Sequence, residues 1–244
     1  MNGLDEPPVL AQRAGSEGPR WMRAVWNSGV FSVTKTSKHR GPIGGSLAQQ
    51  KLHGMIMAMK APLGKGIFLI AAPSLRDANF RQTVVLLCEH GADGALGVVV
   101  NRPTAMSVSE ALPQVPILEG QQHVLFSGGP VQMNQVMILY RVDQFPENSH
   151  HVFDGICLGG DAQLVDRILT ASAGRDAFRA YLGYSGWGPG QLESEMQTGS
   201  WFTIPADSNV VFDKDPTRVW ADIVSALGDD YRLYADMPFD PSMN

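Results

Sequence analysis

Cys88 and His90 are the first pair whose side chains could do chemistry together, a thiol nucleophile beside an imidazole base. They sit two residues apart in Gln82-Thr-Val-Val-Leu-Leu-Cys-Glu-His90, a β-branched, apolar run that reads as a strand. On a regular strand, residues i and i+2 share a face. Their backbones are then separated by roughly 6.6 Å. A nucleophile–base hydrogen bond needs about 2.6–3.2 Å, so the dyad requires a bulged strand. The plainer expectation is a buried cysteine that packs as a small hydrophobe and a histidine at the strand end.

Gly183-Tyr-Ser-Gly-Trp187 follows the Gly-x-Ser-x-Gly nucleophile elbow at four positions, with Trp187 where a small residue is needed. That hydrolase order also requires a histidine after the serine, and none follows His151. A Ser–Asp–His hydrolase is therefore excluded. The expected role of the glycines is backbone freedom at a strand-to-helix turn. A phosphate cradle is poorly served, because Glu193 and Glu195 fall in the early turns of the helix that follows. No His-Glu-x-x-His occurs, and His150 and His151 would face opposite ways on a strand, so no metal site is expected. No cofactor is implied.

The remaining polar candidates are Arg76, Arg81, Asn101 and Arg102, near strand ends or turns. Guanidinium groups fork onto carboxylates, and pairing with Asp77 or Glu89 is the plain expectation. Trp187, Trp201 and Trp220 are expected to fill or cover the core. The competing reading makes Tyr184 and Trp187 part of an exposed contact patch.

Charge divides the chain. Residues 1–65 hold nine Lys and Arg against three Asp and Glu, whereas residues 66–244 hold ten against twenty-one. An acidic globular part disfavours direct nucleic-acid binding, which draws much of its affinity from Lys and Arg. Residues 1–65 are broken by glycines and prolines and read as a disordered, solvated basic leader. A transit peptide, or an over-extended reading frame with its true start at Met55, Met57 or Met59, are the competing readings. No apolar run reaches the roughly 20 residues of a membrane span. Two cysteines, Cys88 and Cys157, point to free thiols in a reducing cytoplasm.

The elements that must position these residues follow from pattern. Strands are expected at Gly66–Ala72, Gln82–His90 and Ala95–Asn101, the last two joined as a hairpin across Gly91–Gly94. Pro103 ends that hairpin, and Ser107-Val-Ser-Glu110 forms a capping box at the start of a short helix. Further strands are read at His123–Ser127, Gln135–Arg141, His151–Leu158, Phe178–Trp187, Trp201–Ile204 and Val210–Phe212. Helices are read at Asp161–Ala171, from the Leu164, Val165, Ile168 and Leu169 stripe, and at Gly190–Thr198. A last helix should run from the Asp215-Pro216 N-cap to Gly228, with a loosely held tail from about residue 229. Hairpins outnumber strand–helix–strand units, so the class is α+β with a mixed, largely antiparallel sheet.

These residues carry a family resemblance. Gly66–Pro73, Phe80-Arg81, Cys88-Glu-His90, Gly94-Ala-Leu-Gly97 and Asn101-Arg-Pro103 resemble the opening of the YqgE/AlgH family. Gly128-Gly-Pro130, Leu182-Gly-Tyr-Ser-Gly-Trp187, Gly190-Gln-Leu-Glu193, Trp201, Phe212 and Trp220 continue it in order. The resemblance spans about residues 66–228. It implies a compact α+β domain over 66–244 whose curved sheet closes partly into a barrel, with flanking helices. It implies no established enzymatic activity. The AlgH name suggests transcriptional regulation, although no helix-turn-helix is present to support DNA contact.

A transcriptional regulator acting directly or indirectly is one alternative, and two further functions compete on this sequence. One is a non-catalytic cytoplasmic protein that binds an unknown protein or small molecule, with a regulatory role. Its candidate surface is formed by Arg76, Asn101, Arg102, Gly128, Gly129, Gly183, Tyr184, Ser185 and Trp187. The other is a hydrolase-type enzyme built near Cys88 and His90, which requires a thiol, an imidazole and a carboxylate to converge.

Overall fold

A computed structural model of the chain describes residues 61–141, 149–159, 162–171 and 178–237. The expectations for residues 1–60, including the disordered leader and the alternative starts, lie outside the described residues. Residues 61–65, assigned to the leader by composition, belong to the domain. Ala61 accepts a hydrogen bond from Thr203 Oγ1 at 2.9 Å, and Ala61 and Leu63 pack on the core.

The chain begins with three antiparallel strands, β1 (Ile67–Ala71), β2 (Val84–Gly91) and β3 (Gly94–Val99). All five residues of β1 are buried, because both faces of this sheet are covered. Phe68 and Ile70 enter one core while Ile67, Leu69 and Ala71 enter another. That is the physical reason for a continuous apolar run rather than an alternating one.

A strand unforeseen in the sequence, β4 (Pro103–Ser107), pairs with β5 (Val124–Ser127). Pro103 opens β4 instead of only ending the hairpin, as an edge position permits. The capping box closes as expected at α1 (Val108–Ala111), with Ser107 and Glu110 bonding each other's backbone N–H. β6 (Val131–Arg141) follows. The span His151–Leu158, read as one strand, is instead a hairpin of β7 (His150–Phe153) and β8 (Ile156–Gly159). Its turn is Asp154-Gly155, both at positive φ, the Asp-Gly signature of a tight hairpin turn.

α2 (Ala162–Ala171) buries Leu164, Val165 and Ile168 as its stripe predicts. β9 (Phe178–Trp187) is a ten-residue strand, and α3 (Gln191–Gln197) and β10 (Trp201–Pro205) follow it. Val210–Phe212 is not a strand but part of α4 (Ser208–Phe212), which Asp207 caps through Asn209 N. The Asp215 carboxylate accepts from Thr217 N in a turn, and α5 (Val219–Ala226) begins after it. The expected loose tail is helical over Asp229–Ala235, and residues 238–244 lie outside the described residues. α6 (Asp229–Ala235) lies against β10, with the Tyr231 ring edge-on to Phe202 at 5.6 Å.

The sheet order is β10-β1-β2-β3-β9-β6-β8-β7, with β5 parallel to β9 and β4 outside β5. No backbone pairing joins β10 to β7 among the described residues, so the sheet is open and the expected barrel closure is not found. The sheet nevertheless curls. Side chains alone hold β7 against the first strands, with Lys65 Nζ donating to His151 O at 3.1 Å and Phe153 beside Gly66. The inner core fills the concave side, where α4 and α5 pack, while α3 covers one outer core and α1 and α2 the other. The fold is thus α+β with a large, mostly antiparallel sheet.

Candidate functional site

β9 is the strand on which the two halves of the sheet meet. Its first part pairs with β5 at 180–182 and its last with β3 at 185–187. Between them the Gly128–Gly129 segment crosses its backbone. Gly128 N donates to Leu182 O and Gly128 O accepts from Val99 N, each at 2.9 Å. A Cβ on Gly129 would stand 2.3 Å from the Tyr184 carbonyl, and one on Gly128 2.3 Å from Gly183 O. Gly183 itself has φ +69 within a strand and would place a Cβ 2.6 Å from Gly129 O. These glycines permit a backbone-on-backbone crossing, not the strand-to-helix turn read from the sequence.

On the opposite edge of β9, β6 bulges. Val131 pairs with Tyr184 and Val136 with Leu182, so five steps along β6 match two along β9. Gln132 takes φ +48, an uncommon conformation for a residue with a side chain, and Met133 emerges 61% exposed. No sequence pattern marked this bulge.

The candidate surface residues do assemble here, but mostly inside. Ser127 N bonds Arg102 O at 2.9 Å, which brings Asn101-Arg102 beside the crossing. Gly128, Gly129, Gly183, Tyr184, Ser185 and Trp187 are buried. Tyr184 and Trp187 therefore form no exposed patch, and the three tryptophans fill the core. Ser185 Oγ donates to Gly128 O at 3.2 Å and serves the crossing as a strut rather than as a nucleophile. Asn101 is also structural. Its Oδ1 accepts from Val84 N at 2.8 Å and its Nδ2 donates to Gln82 O at 2.9 Å, holding Gln82 at φ +53. Arg102 stays half-buried and donates to the carbonyls of Arg81 (3.0 Å) and Ala78 (3.4 Å). Arg76 is exposed on the same turn.

The thiol–imidazole pair is separated by the very bulge that could have joined it. The β2–β3 register shifts between Leu87 and Glu89. Cys88 faces the inner core, fully buried, with Sγ 3.5 Å from Leu86 O. His90 instead meets Glu193 of α3 at 2.7 Å, over an outer core. Burial pushes the Cys88 thiol far up, with the Glu89 charge adding to the effect, so no thiolate is available. Cys157 is raised by burial as well. Glu89 bonds His150 at 2.8 Å, and His150 also lies 3.4 Å from Cys88 O. Burial lowers the His150 imidazole, against the pull of Glu89. His150 thus meets the carbonyl of Cys88 and the Glu89 carboxylate.

Glu193 complements the first turn of α3 as expected, whereas Glu195 turns inward. The Glu193 carboxyl is held below the ordinary range, first by its own backbone N–H and then by His90. Glu195 is buried, and its Oε2 accepts the indole N–H of both Trp187 and Trp201 at 2.9 Å. Its Oε1 accepts from Gln191 Nε2 at 3.0 Å. This carboxylate locks α3 to β9 and β10. The i, i+4 spacing of Gln191 and Glu195 was visible in the sequence, but the two tryptophans were not legible as donors.

No group of three or more His, Cys, Asp or Glu able to hold a metal occurs among the described residues. No described helix is long and apolar enough to cross a membrane. An open, curled α+β sheet with its polar side chains committed to bracing a glycine crossing defines the class. The AlgH-like family model (DUF179) matches residues 68–232, and the chain belongs to that family. A UPF0301 protein of Chlorobium limicola is 37% identical over 183 residues, covering 75% of this chain and 96% of that one. A UPF0301 protein of Cytophaga hutchinsonii is 36% identical and is covered completely. The solution structure of AlgH from Pseudomonas aeruginosa superposes with a TM-score of 0.58 at 30% identity, covering 74% of this chain and 98% of that one. A Corynebacterium diphtheriae structure with a TM-score of 0.59 at 24% identity shares the fold.

Proposed function

We propose that this chain is a non-catalytic cytoplasmic binding protein with a regulatory role. Its recognition surface is the outside of the glycine crossing, where Met133 and Asn134 are exposed on the β6 bulge against Gly183. The observation that carries this reading is the bulge. Three extra residues and a left-handed Gln132 lift a large apolar side chain to 61% exposure on an otherwise tightly braced strand pair. Strained backbone of this kind is kept where it re-aims a side chain for use. Methionine is enriched at protein interfaces. The burial of Cys88 and its separation from His90 count against the hydrolase reading.

The test is capture from a cell lysate by the immobilised full-length chain and by its Met133→Asp variant. The side chain is exposed, so the variant should keep the fold, which circular dichroism checks. A partner retained by the parent and lost from the variant supports the surface. Identical captures from both would refute it.

A further inference from the structure

The turn between β1 and β2 runs against the charge of the domain. Residues 66–244 hold ten Lys and Arg against twenty-one Asp and Glu, yet this turn carries Arg76 and Arg81 with Asp77 as its acidic residue. Arg102 joins them from beyond β3. Its guanidinium donates to Arg81 O at 3.0 Å and to Ala78 O at 3.4 Å. Burial lowers Arg102 below the usual guanidinium range, and repulsion from the Arg81 charge lowers it further. Asp77 acts in the opposite sense, but its Oδ1 is turned to Asn79 N at 2.8 Å. Two like charges brought together and half-buried favour an anion that both can share.

The last described residue of the chain ends at the same place. Gln82 follows Arg81, and its carbonyl is held by Asn101, which precedes Arg102. Gln82 Nε2 donates to Met237 O at 3.1 Å. Residue 238 therefore starts beside both arginines. The sequence from there is Pro238-Phe-Asp-Pro-Ser-Met-Asn244, in which Asp240 is the acidic residue and no Lys or Arg occurs. Asp240 is three positions past Met237. At about 3.3–3.6 Å per residue its Cα stays within roughly 11 Å of that of Met237, so its carboxylate is in reach of both guanidiniums.

We infer that residues 238–244 fold back onto the β1–β2 turn and seat the Asp240 carboxylate across the Arg81 and Arg102 guanidiniums. A carboxylate has two oxygens to offer two forks of N–H donors, and such charge-assisted bonds are the strong ones. Opposite charge selects this occupant, because the arginines form a positive spot on an acidic domain and the tail brings a negative charge of its own. Docked there, the tail covers that spot, and any other carboxylate or phosphate must displace Asp240 to reach it.

The test uses the full-length chain and its Asp240→Asn and Arg81→Gln variants at neutral pH and low salt. Asp240→Asn should move the NMR signals of the Arg81 and Arg102 side-chain N–H groups. Those of Arg141, which pairs with Asp213 at 3.0 Å, should stay in place. In urea unfolding, Asp240→Asn should lower the folding equilibrium constant about threefold or more in the parent, and less than about twofold in the Arg81→Gln background. If Arg81→Gln does not fold, the arginine signals decide by themselves. Unmoved Arg81 and Arg102 signals, or an equal loss in both backgrounds, would overturn the inference. Arginine shifts that depend on protein concentration would assign the contact to a second copy and overturn it as well.

Discussion

Glu195 offers the sharpest test of how this molecule is held together. Replacing it by alanine removes the acceptor of two indole N–H groups, those of Trp187 and Trp201, whose residues are 3% and 2% exposed. Each buried donor left unsatisfied costs about 1–3 kcal/mol, so the pair costs roughly 2–6 kcal/mol. The half-buried Gln191 amide can turn to water and adds little. Against a typical total stability of about 5–15 kcal/mol, this is a large fraction. Glu195→Gln keeps one carbonyl oxygen for the indoles but sets its NH2 against the Gln191 Nε2 donor and loses the charge assistance, so its cost should be about 1–2 kcal/mol. Urea unfolding followed by tryptophan fluorescence measures both, and the native emission of the alanine variant should shift to the red as the indoles lose their partner. If Glu195→Ala costs under about 1 kcal/mol, or the two variants are equally destabilised, the indole–carboxylate clamp does not hold α3 as described.

Two further outcomes follow from the geometry. Gly129→Ala should cost at least about 3 kcal/mol and give poorly folded protein, because its Cβ would meet the Tyr184 backbone at 2.3 Å, whereas Gly91→Ala meets nothing and should be mild; thermal unfolding of both compares them. Burial lowers the folded-state His150 relative to an unfolded value of about 6.5, so its contribution to stability is complete above that pH and is lost as pH falls below it. The slope of stability against pH between about 6.5 and 5 should therefore be shallower in His150→Gln, measured by denaturant unfolding at each pH, and an unchanged slope would refute the assignment.

The sequence alone determined what depends on near neighbours. Hydrophobic runs located β1, β2 and β3 because a strand buried on both faces must be apolar, and aromatic content located β9. The Ser107–Glu110 box closed as read, since its partners are three residues apart. The Asp154-Gly155 turn was equally legible, and only the weight given to the apolar run around it hid the second strand of that hairpin. Val210–Phe212 misled because three apolar residues suit either period, and the Asp207 cap decided for helix.

Only the tertiary structure decided where those elements point side chains. A single bulge at Leu87–Glu89 turned Cys88 inward and gave His90 to Glu193, 103 residues away in sequence. The curl of the sheet brought His150 to Glu89, and the crossing of Gly128–Gly129 over Gly183 buried residues whose composition suggested a surface. Each of these depends on which distant backbone lies alongside. A local pattern carries no term for that, because the energy that selects the neighbour is shared across the whole core.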